Sequence, residues 1–184
     1  MKEGLSNRKT NKIHLRVKNM DSELAISISR RKPGRIELER INDIIKFAID
    51  TWLLPERVKR ISLPLYLYEA EDLLHMQFLV AEGADVGIVG LAALEEFDST
   101  EFVDLGRTML VHGLYVDPLY HSRGIGTCLV ESAELNAREI GFNGLLVKAQ
   151  VDAVSFFKDI GFIKLPVNDI SRDYVHRYWK TVQA

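Results

Sequence analysis

The residues best suited to chemistry stand together in one stretch, Leu114-Tyr-Val-Asp-Pro-Leu-Tyr-His-Ser-Arg-Gly-Ile-Gly-Thr127. A β-rich apolar run ends at Val116, Asp117-Pro118 breaks it, and a helical pattern opens at Gly124 and Gly126. Glycine lets a backbone come close to a ligand. The first N–H groups of a helix have no partner within it, and with the helix dipole they favour an anion such as a diphosphate. Arg123 adds a forked cation at the same place. Two other phosphate loops do not fit. GxxxxGK[ST] occurs nowhere in the chain, and GxGxxG fails at its last position, where Gly124-Ile-Gly126-Thr-Cys-Leu129 has leucine.

The surrounding pattern supplies elements to hold this turn. Residues 108–116 read as the strand that delivers it, and Gly113 inside that strand marks a bulge or a close backbone approach. Residues 123–140 carry apolar side chains at Ile125, Cys128, Leu129, Ala133, Ala137 and Ile140, one buried helical face that makes Cys128 a core residue. Gly141 stands where a C-terminal cap glycine belongs. Upstream, residues 25–30 alternate as a strand, and residues 36–53 form a helix with its apolar stripe at Ile41, Ile44, Ile45, Ala48, Ile49 and Trp52. Residues 58–71, with Pro64 inside, read as a second, shorter helix. Residues 76–82 and 86–94 make a hairpin around Gly83-Ala84-Asp85. Residues 144–149 are a short buried strand, residues 153–160 a helix, and residues 162–165 and 174–182 the last strands. Tyr174, Tyr178 and Trp179 lie on the final one, either as core or as an edge where a second subunit pairs to give a homodimer. The sum is an α/β fold, a mostly antiparallel sheet flanked by helices with one strand–helix–strand crossover. One domain is expected over residues 23–184, with residues 1–22 a polar tail or an added strand.

Composition narrows the function. The 184 residues carry a formal net charge of -2, with 47% hydrophobic and 27% charged residues, an ordinary globular balance. No basic field draws such a chain to nucleic acid, and no apolar run is long enough to span a membrane. The start is polar and basic, without the apolar stretch of a secretory signal. The one cysteine precludes an internal disulfide, and a cytoplasmic setting is expected. The five histidines form neither HxxH nor HExxH, so no metal is expected.

The turn and its flanks resemble motif A of the GCN5-related N-acetyltransferase (GNAT) superfamily, [QR]xxGx[GA] after a strand ending V-x-P-x-Y. Here the two parts read His121-Ser122-Arg123-Gly124-Ile125-Gly126 and Val116-Asp-Pro118-Leu-Tyr120. Downstream, Phe156-Phe157-Lys-Asp-Ile-Gly161-Phe162 is similar to the FYxxxGF end of motif B, with one helix and one strand between. The resemblance covers residues 80–165. It implies acetyl-CoA as co-substrate. Backbone groups of Leu114, Tyr115 and Val116 would pair with the pantetheine arm. Amides of His121, Ser122, Arg123, Gly124, Ile125, Gly126 and Thr127 would hold the diphosphate. Gln150 falls where the family often has an asparagine touching the cofactor, and Phe156 would pack beside the pantetheine. Two positions depart from the pattern. His121 replaces Gln or Arg, which backbone contacts tolerate. Phe157 stands where many members have a tyrosine that protonates the leaving thiolate, and phenylalanine has no proton to give.

The implied reaction is direct attack of an amine on a thioester. An alkylammonium titrates at roughly 10.4, so freeing the amine at pH 7 costs ~4.6 kcal/mol, whereas a thiol of pKa about 8.5 leaves as thiolate for only ~2 kcal/mol. Loss of the tyrosine acid therefore slows the reaction without abolishing it. The search for a base comes first. His112 lies two residues before Leu114, on the same face of the strand by alternation, and imidazole suits base work unless the ring is merely hydrogen-bonded in the sheet. Glu95 and Glu96 end the preceding strand and reach the site through a water, or belong to a solvated loop. Tyr120 or Tyr115 replaces the missing acid or simply packs, and Ser155 is a weaker candidate. A strand N–H near Leu114 would polarise the thioester carbonyl. Glu95, Glu96, Asp98, Glu101 and Asp104 form an acidic rim that attracts a cationic acceptor. Besides an N-acetyltransferase for a small-molecule or protein amine, the sequence admits a catalytically silent acetyl-CoA-binding sensor or partner module, and more remotely an assembly domain without CoA.

Overall fold

The computed structural model describes residues 12–18, 23–97, 105–168, 171 and 174–182. Its spine is an eight-stranded sheet of order β1-β2-β3-β4-β5-β6-β8-β7. The strands are β1 (Ile13–Lys18), β2 (Glu23–Arg30), β3 (Gln77–Gly83), β4 (Gly87–Phe97), β5 (Thr108–Val116), β6 (Gly144–Lys148), β7 (Ile163–Lys164) and β8 (Arg177–Thr181). All neighbours are antiparallel except β5 and β6. The helices are α1 (Glu37–Asp50), α2 (Glu56–Ser62), α3 (Asp72–His75), α4 (Ile125–Glu139) and α5 (Val154–Asp159). The expected α/β class and the β5–α4–β6 crossover stand.

Strand alternation gives the sheet two apolar faces. Leu79, Ala81, Ala92 and Leu94 meet the stripe of α4 at Ile125, Leu129, Ala133 and Ala137. Their neighbours Phe78, Val80, Leu91 and Ala93 meet α1 at Ile41, Ile44, Ile45 and Ile49. The α4 helix ends as its glycine requires, with Gly141 and Phe142 N–H donating to the carbonyls of Arg138 and Ala137. Cys128 is half-buried on α4, and burial, then the nearby Glu131 charge, pushes its thiol up, which disfavours the reactive thiolate.

Three expectations change. Within residues 1–22, the stretch Ile13–Lys18 is an added edge strand, paired in register with β2 from Ile13↔Ile28 to Lys18↔Glu23. Residues 58–71 are not one helix: α2 stops at Ser62, Leu63–Leu65 form a 3-10 turn at Pro64, and the chain runs on to α3. The last strand is not an edge. β8 lies between β6 and β7, and Tyr178 is buried at 1% exposure, so core packing claims that residue, while Tyr174 lies outside the strand. The rim positions Asp98, Glu101 and Asp104 lie outside the described residues.

Candidate active site

The site begins with a defect in strand pairing. β5 and β6 pair from Thr108↔Gly144 to Val111↔Val147, and there the pairing ends. β5 continues to Val116, held by β4 alone among the described strands, so residues 112–116 have no described strand on their other side. At this point the β4–β5 register shifts, from Ala93↔Gly113 to Leu94↔Val111, and leaves His112 as the unmatched residue of a bulge. The bulge turns His112 toward Tyr68 on the α1 side and away from the face expected from alternation, where Leu114 packs on the α4 side. Glycine at 113 is a requirement of close approach. A Cβ there would lie 2.6 Å from Tyr115 Cε2, and nearer still to the Tyr68 hydroxyl. Between the splayed strands opens a cleft of about 720 Å³.

The turn after β5 is pinned from α1. Asp117, 3% exposed, accepts the Leu119 N–H at 3.0 Å and the Arg40 guanidinium at 2.6 Å, while Arg40 Nε also donates to the Ile88 carbonyl at 3.0 Å. The sequence offered only Asp-Pro as a strand breaker; its ion pair spans 77 residues. Arg40→Ala strands a buried carboxylate. Because Arg40 itself is partly exposed, the expected loss is about 2 kcal/mol, a Tm lowered by roughly 4–8 °C in a thermal melt. An unchanged Tm would refute the pinning role.

Beyond the pin, Ser122 and Gly124 both take positive φ, 57° and 80°, and α4 starts with the Cys128 N–H donating to the Gly124 carbonyl. The amides of residues 124–127 therefore precede the first intrahelical bond and lie at the positive end of the dipole. Alternating backbone handedness of this kind forms a concave nest for an anion. His121 does more than tolerate its place: Nε2 donates to the Val116 carbonyl at 2.9 Å and closes the turn on itself.

The cleft gathers His112, Leu114, Tyr115, Val116, Tyr120, His121, Ser122, Gly124, Ile125, Gly126, Thr127, Gln150 and Phe156. Phe156 stands 3.4 Å from where a Cβ on Gly126 would be, a wall beside the nest. Phe157 turns into the core at 6% exposure, stacked edge-on to Phe156 and Phe162 at 5.1 and 5.3 Å. Four candidates stand apart from the cleft lining, among them Ser155, which is exposed on α5. The Arg123 guanidinium lies over the Tyr120 ring at 5.4 Å, which also gives Tyr120 a packing partner. Glu96 accepts from Arg107 at 3.2 Å and shares strand parity with Leu94, on the α4 face. Glu95 has the parity of Leu91 and Ala93, on the opposite face with Tyr68.

Several cleft groups carry no signature in the sequence. Trp52 and Tyr66 meet edge-on at 5.2 Å, and the Tyr66 hydroxyl accepts from Gln150 Nε2 at 2.6 Å. The Asp152 carboxylate accepts the Leu53 N–H at 2.7 Å. The two bonds tie the α1–α2 and α2–α3 connections to the β6–α5 segment. Tyr68 reaches His112, its hydroxyl 3.3 Å from Nδ1. Burial, then Tyr115, Asp72 and Glu95, pushes the Tyr68 phenol well above its usual value, and burial, then Tyr66, raises Tyr115. Raised folded-state values mean that the unfolded chain ionises first. Stability is then full below about pH 10 and falls as the pH climbs toward the folded values, by up to ~1.4 kcal/mol per pH unit for each tyrosine. Urea titrations across that range are expected to show this fall, and a flat profile would contradict the burial.

A splayed sheet over a nest of helix amides defines an α/β protein shaped for an extended ligand with an anionic end. Residues 75–164 match the family described as acetyltransferase (GNAT) domain. No curated protein is a significant match in sequence. Among solved structures, PaiA N-acetyltransferase of Thermoplasma acidophilum in complex with coenzyme A is 17% identical, with a TM-score of 0.64 over 84% of this chain and 98% of that one. A GCN5-related N-acetyltransferase from Rhodopseudomonas palustris is 21% identical, with a TM-score of 0.64 over 87% and 96%. A GNAT family acetyltransferase from Brucella melitensis in complex with acetyl-CoA is 15% identical, with a TM-score of 0.56 over 85% and 89%. Residues 75–164 thus carry a GNAT acetyltransferase domain, and the sheet with its flanking helices has the fold of these N-acetyltransferases.

Proposed function

We propose that this protein transfers the acetyl group of acetyl-CoA to a primary amine of a small molecule or protein, by direct attack without an acyl-enzyme. One observation carries the reading: past its bulge β5 is paired by β4 alone among the described strands and runs straight into the positive-φ turn that opens α4. An extended pantetheine fits alongside residues 112–116 as an extra strand, with its diphosphate on the amides of residues 121–127 and Phe156 beside it. Gln150, already tied to Tyr66, lies along the same path. Backbone N–H near Leu114 faces the thioester carbonyl and stabilises the oxyanion. Among the candidates for the amine's proton, Glu95 and His112 are the two on the Tyr68 side of β4 and β5; Glu96 is engaged by Arg107.

The Phe157 side chain favours one competitor, a silent acetyl-CoA-binding module, because the position that would hold an acid holds a buried ring instead. Thiol release from acetyl-CoA across a panel of alkyl, aryl and peptide amines separates the two. Turnover with any amine supports transfer. Acetyl-CoA binding without turnover on the whole panel supports the silent module.

A further inference from the structure

Tyr68 lies buried behind His112, outside the cleft lining, and is held from several sides. Its N–H donates to Asn42 Oδ1 at 3.0 Å, and Asn42 Nδ2 donates back to its carbonyl at 2.9 Å, a clamp from α1. Its ring packs edge-on to Phe78 at 5.4 Å, and it is 3% exposed. The hydroxyl ends over Gly113, where a Cβ would collide with it. Among the described residues its one hydrogen-bond partner is His112 Nδ1, at 3.3 Å. A buried hydroxyl has a single proton to place, and leaving it unpaired is unfavourable. If Nδ1 carried a hydrogen, that proton would have no acceptor. If Nδ1 is bare, the hydroxyl donates to it and the ring's hydrogen sits on Nε2. The bond made by one ring nitrogen thus decides the state of the other.

Building on the acetyltransferase reading, we propose that Tyr68 is a positioning residue that holds His112 with its hydrogen on Nε2, so that His112 acts as a hydrogen-bond donor to the charge developing on the thioester and not as the base. Neutral imidazole can serve as such an electrophile. The balance is simple. The amine nitrogen forms a bond to the carbonyl carbon, the C–S pair goes to sulfur, and sulfur leaves as thiolate. The amine's proton goes to another base or to solvent. His112 gives a hydrogen bond and loses no proton, because passing one on would draw the proton of Tyr68, which burial holds tightly. A thiol titrates near ~8.5 and needs no such help. This is how the reaction proceeds with phenylalanine at 157. The other titratable groups around the pair are Tyr115 on β5, Glu95 on β4, Asp72 on α3 and Lys148 on β6.

Long-range 15N–1H spectra of the labelled full-length protein read the tautomer directly, and the His112→Gln spectrum assigns the signal. The expected pattern is an acceptor Nδ1 and a protonated Nε2. Kinetics give a second, independent reading. The side-chain amide in His112→Gln keeps an N–H donor but is no base, so kcat should stay within about 10-fold of the parent, while His112→Ala falls ~100-fold. Tyr68→Phe should lower kcat at unchanged KM for acetyl-CoA and mix the tautomers. If that variant does not fold, the parent spectrum and His112→Gln still decide. A hydrogen on Nδ1 in the parent protein, or equal losses in the two His112 variants, overturns the proposal. If acetyl-CoA binds but no amine is acetylated, the acetyltransferase reading fails while the spectrum still settles the tautomer.

Discussion

Gly124→Glu is expected to abolish acetyl-CoA binding and leave the fold standing. Gly124 sits at φ 80°, so a side chain there strains the backbone by about 1–2 kcal/mol. A Cβ at this position would meet nothing within 4 Å, so no packing is lost inside the protein. The harm falls on the ligand. A carboxylate at the mouth of the nest competes for the same amides and repels a diphosphate. A Kd raised ~100-fold or more corresponds to about 2.7 kcal/mol. Gly87 supplies a matched control, because it too has positive φ, 67°, with nothing within 4 Å of its Cβ. Gly87→Glu bears a similar strain on the β3–β4 hairpin and should bind acetyl-CoA as the parent does. Calorimetry on both variants decides it: equal losses would place the effect in folding, and equal retention would remove the nest from the binding site.

Gly113→Ala is the second substitution with a large expected effect, and it acts on stability and rate together. One methyl would stand 2.6 Å from Tyr115 Cε2 and press on the Tyr68 hydroxyl. Neither neighbour yields easily. Tyr68 is clamped by Asn42, and Tyr115 is 8% exposed within the α1-side core. Overpacking of this kind costs about 1–3 kcal/mol, a Tm lower by roughly 2–12 °C in a chain of this size. The same displacement moves Tyr68 from His112, so kcat should fall further than the lost stability explains. Initial rates measured well below the melting temperature test this. A variant that melts early but turns over normally would separate the bulge from catalysis.

What the sequence revealed was what is local. The bounds of β5 and the α4 stripe were legible because each rests on the period of a few consecutive side chains. The turn into α4 was legible less from its two glycines, which suit a plain glycine-rich helix start as well, than from the motif that surrounds them. Gly113 announced a bulge and a close approach, and both are present. The remainder depends on contacts distant in sequence. Tyr68 reaches His112 across 44 residues, and Gln150 reaches Tyr66 across 84. No spacing rule joins them. The sides taken by Glu95 and Glu96 follow from parity along β4, whereas the side taken by His112 follows only once the bulge opposite Leu94 is known. The place of β8 inside the sheet follows from strand order, which alternation does not encode.

That order also dictates a sequence of assembly during synthesis. β1 to β5 are neighbours both along the chain and in the sheet, so each can dock on its predecessor as it emerges. β6 must wait for α4 to cross over. Among the described strands β7 pairs with β8 alone, which is made later, and β6 keeps an open edge until residues 177–181 arrive. The growing chain therefore completes β5 early and carries an exposed apolar edge, Gly144–Lys148, until residues 177–181 emerge. A nascent chain halted before residue 177 should accordingly be more prone to aggregate than the finished protein.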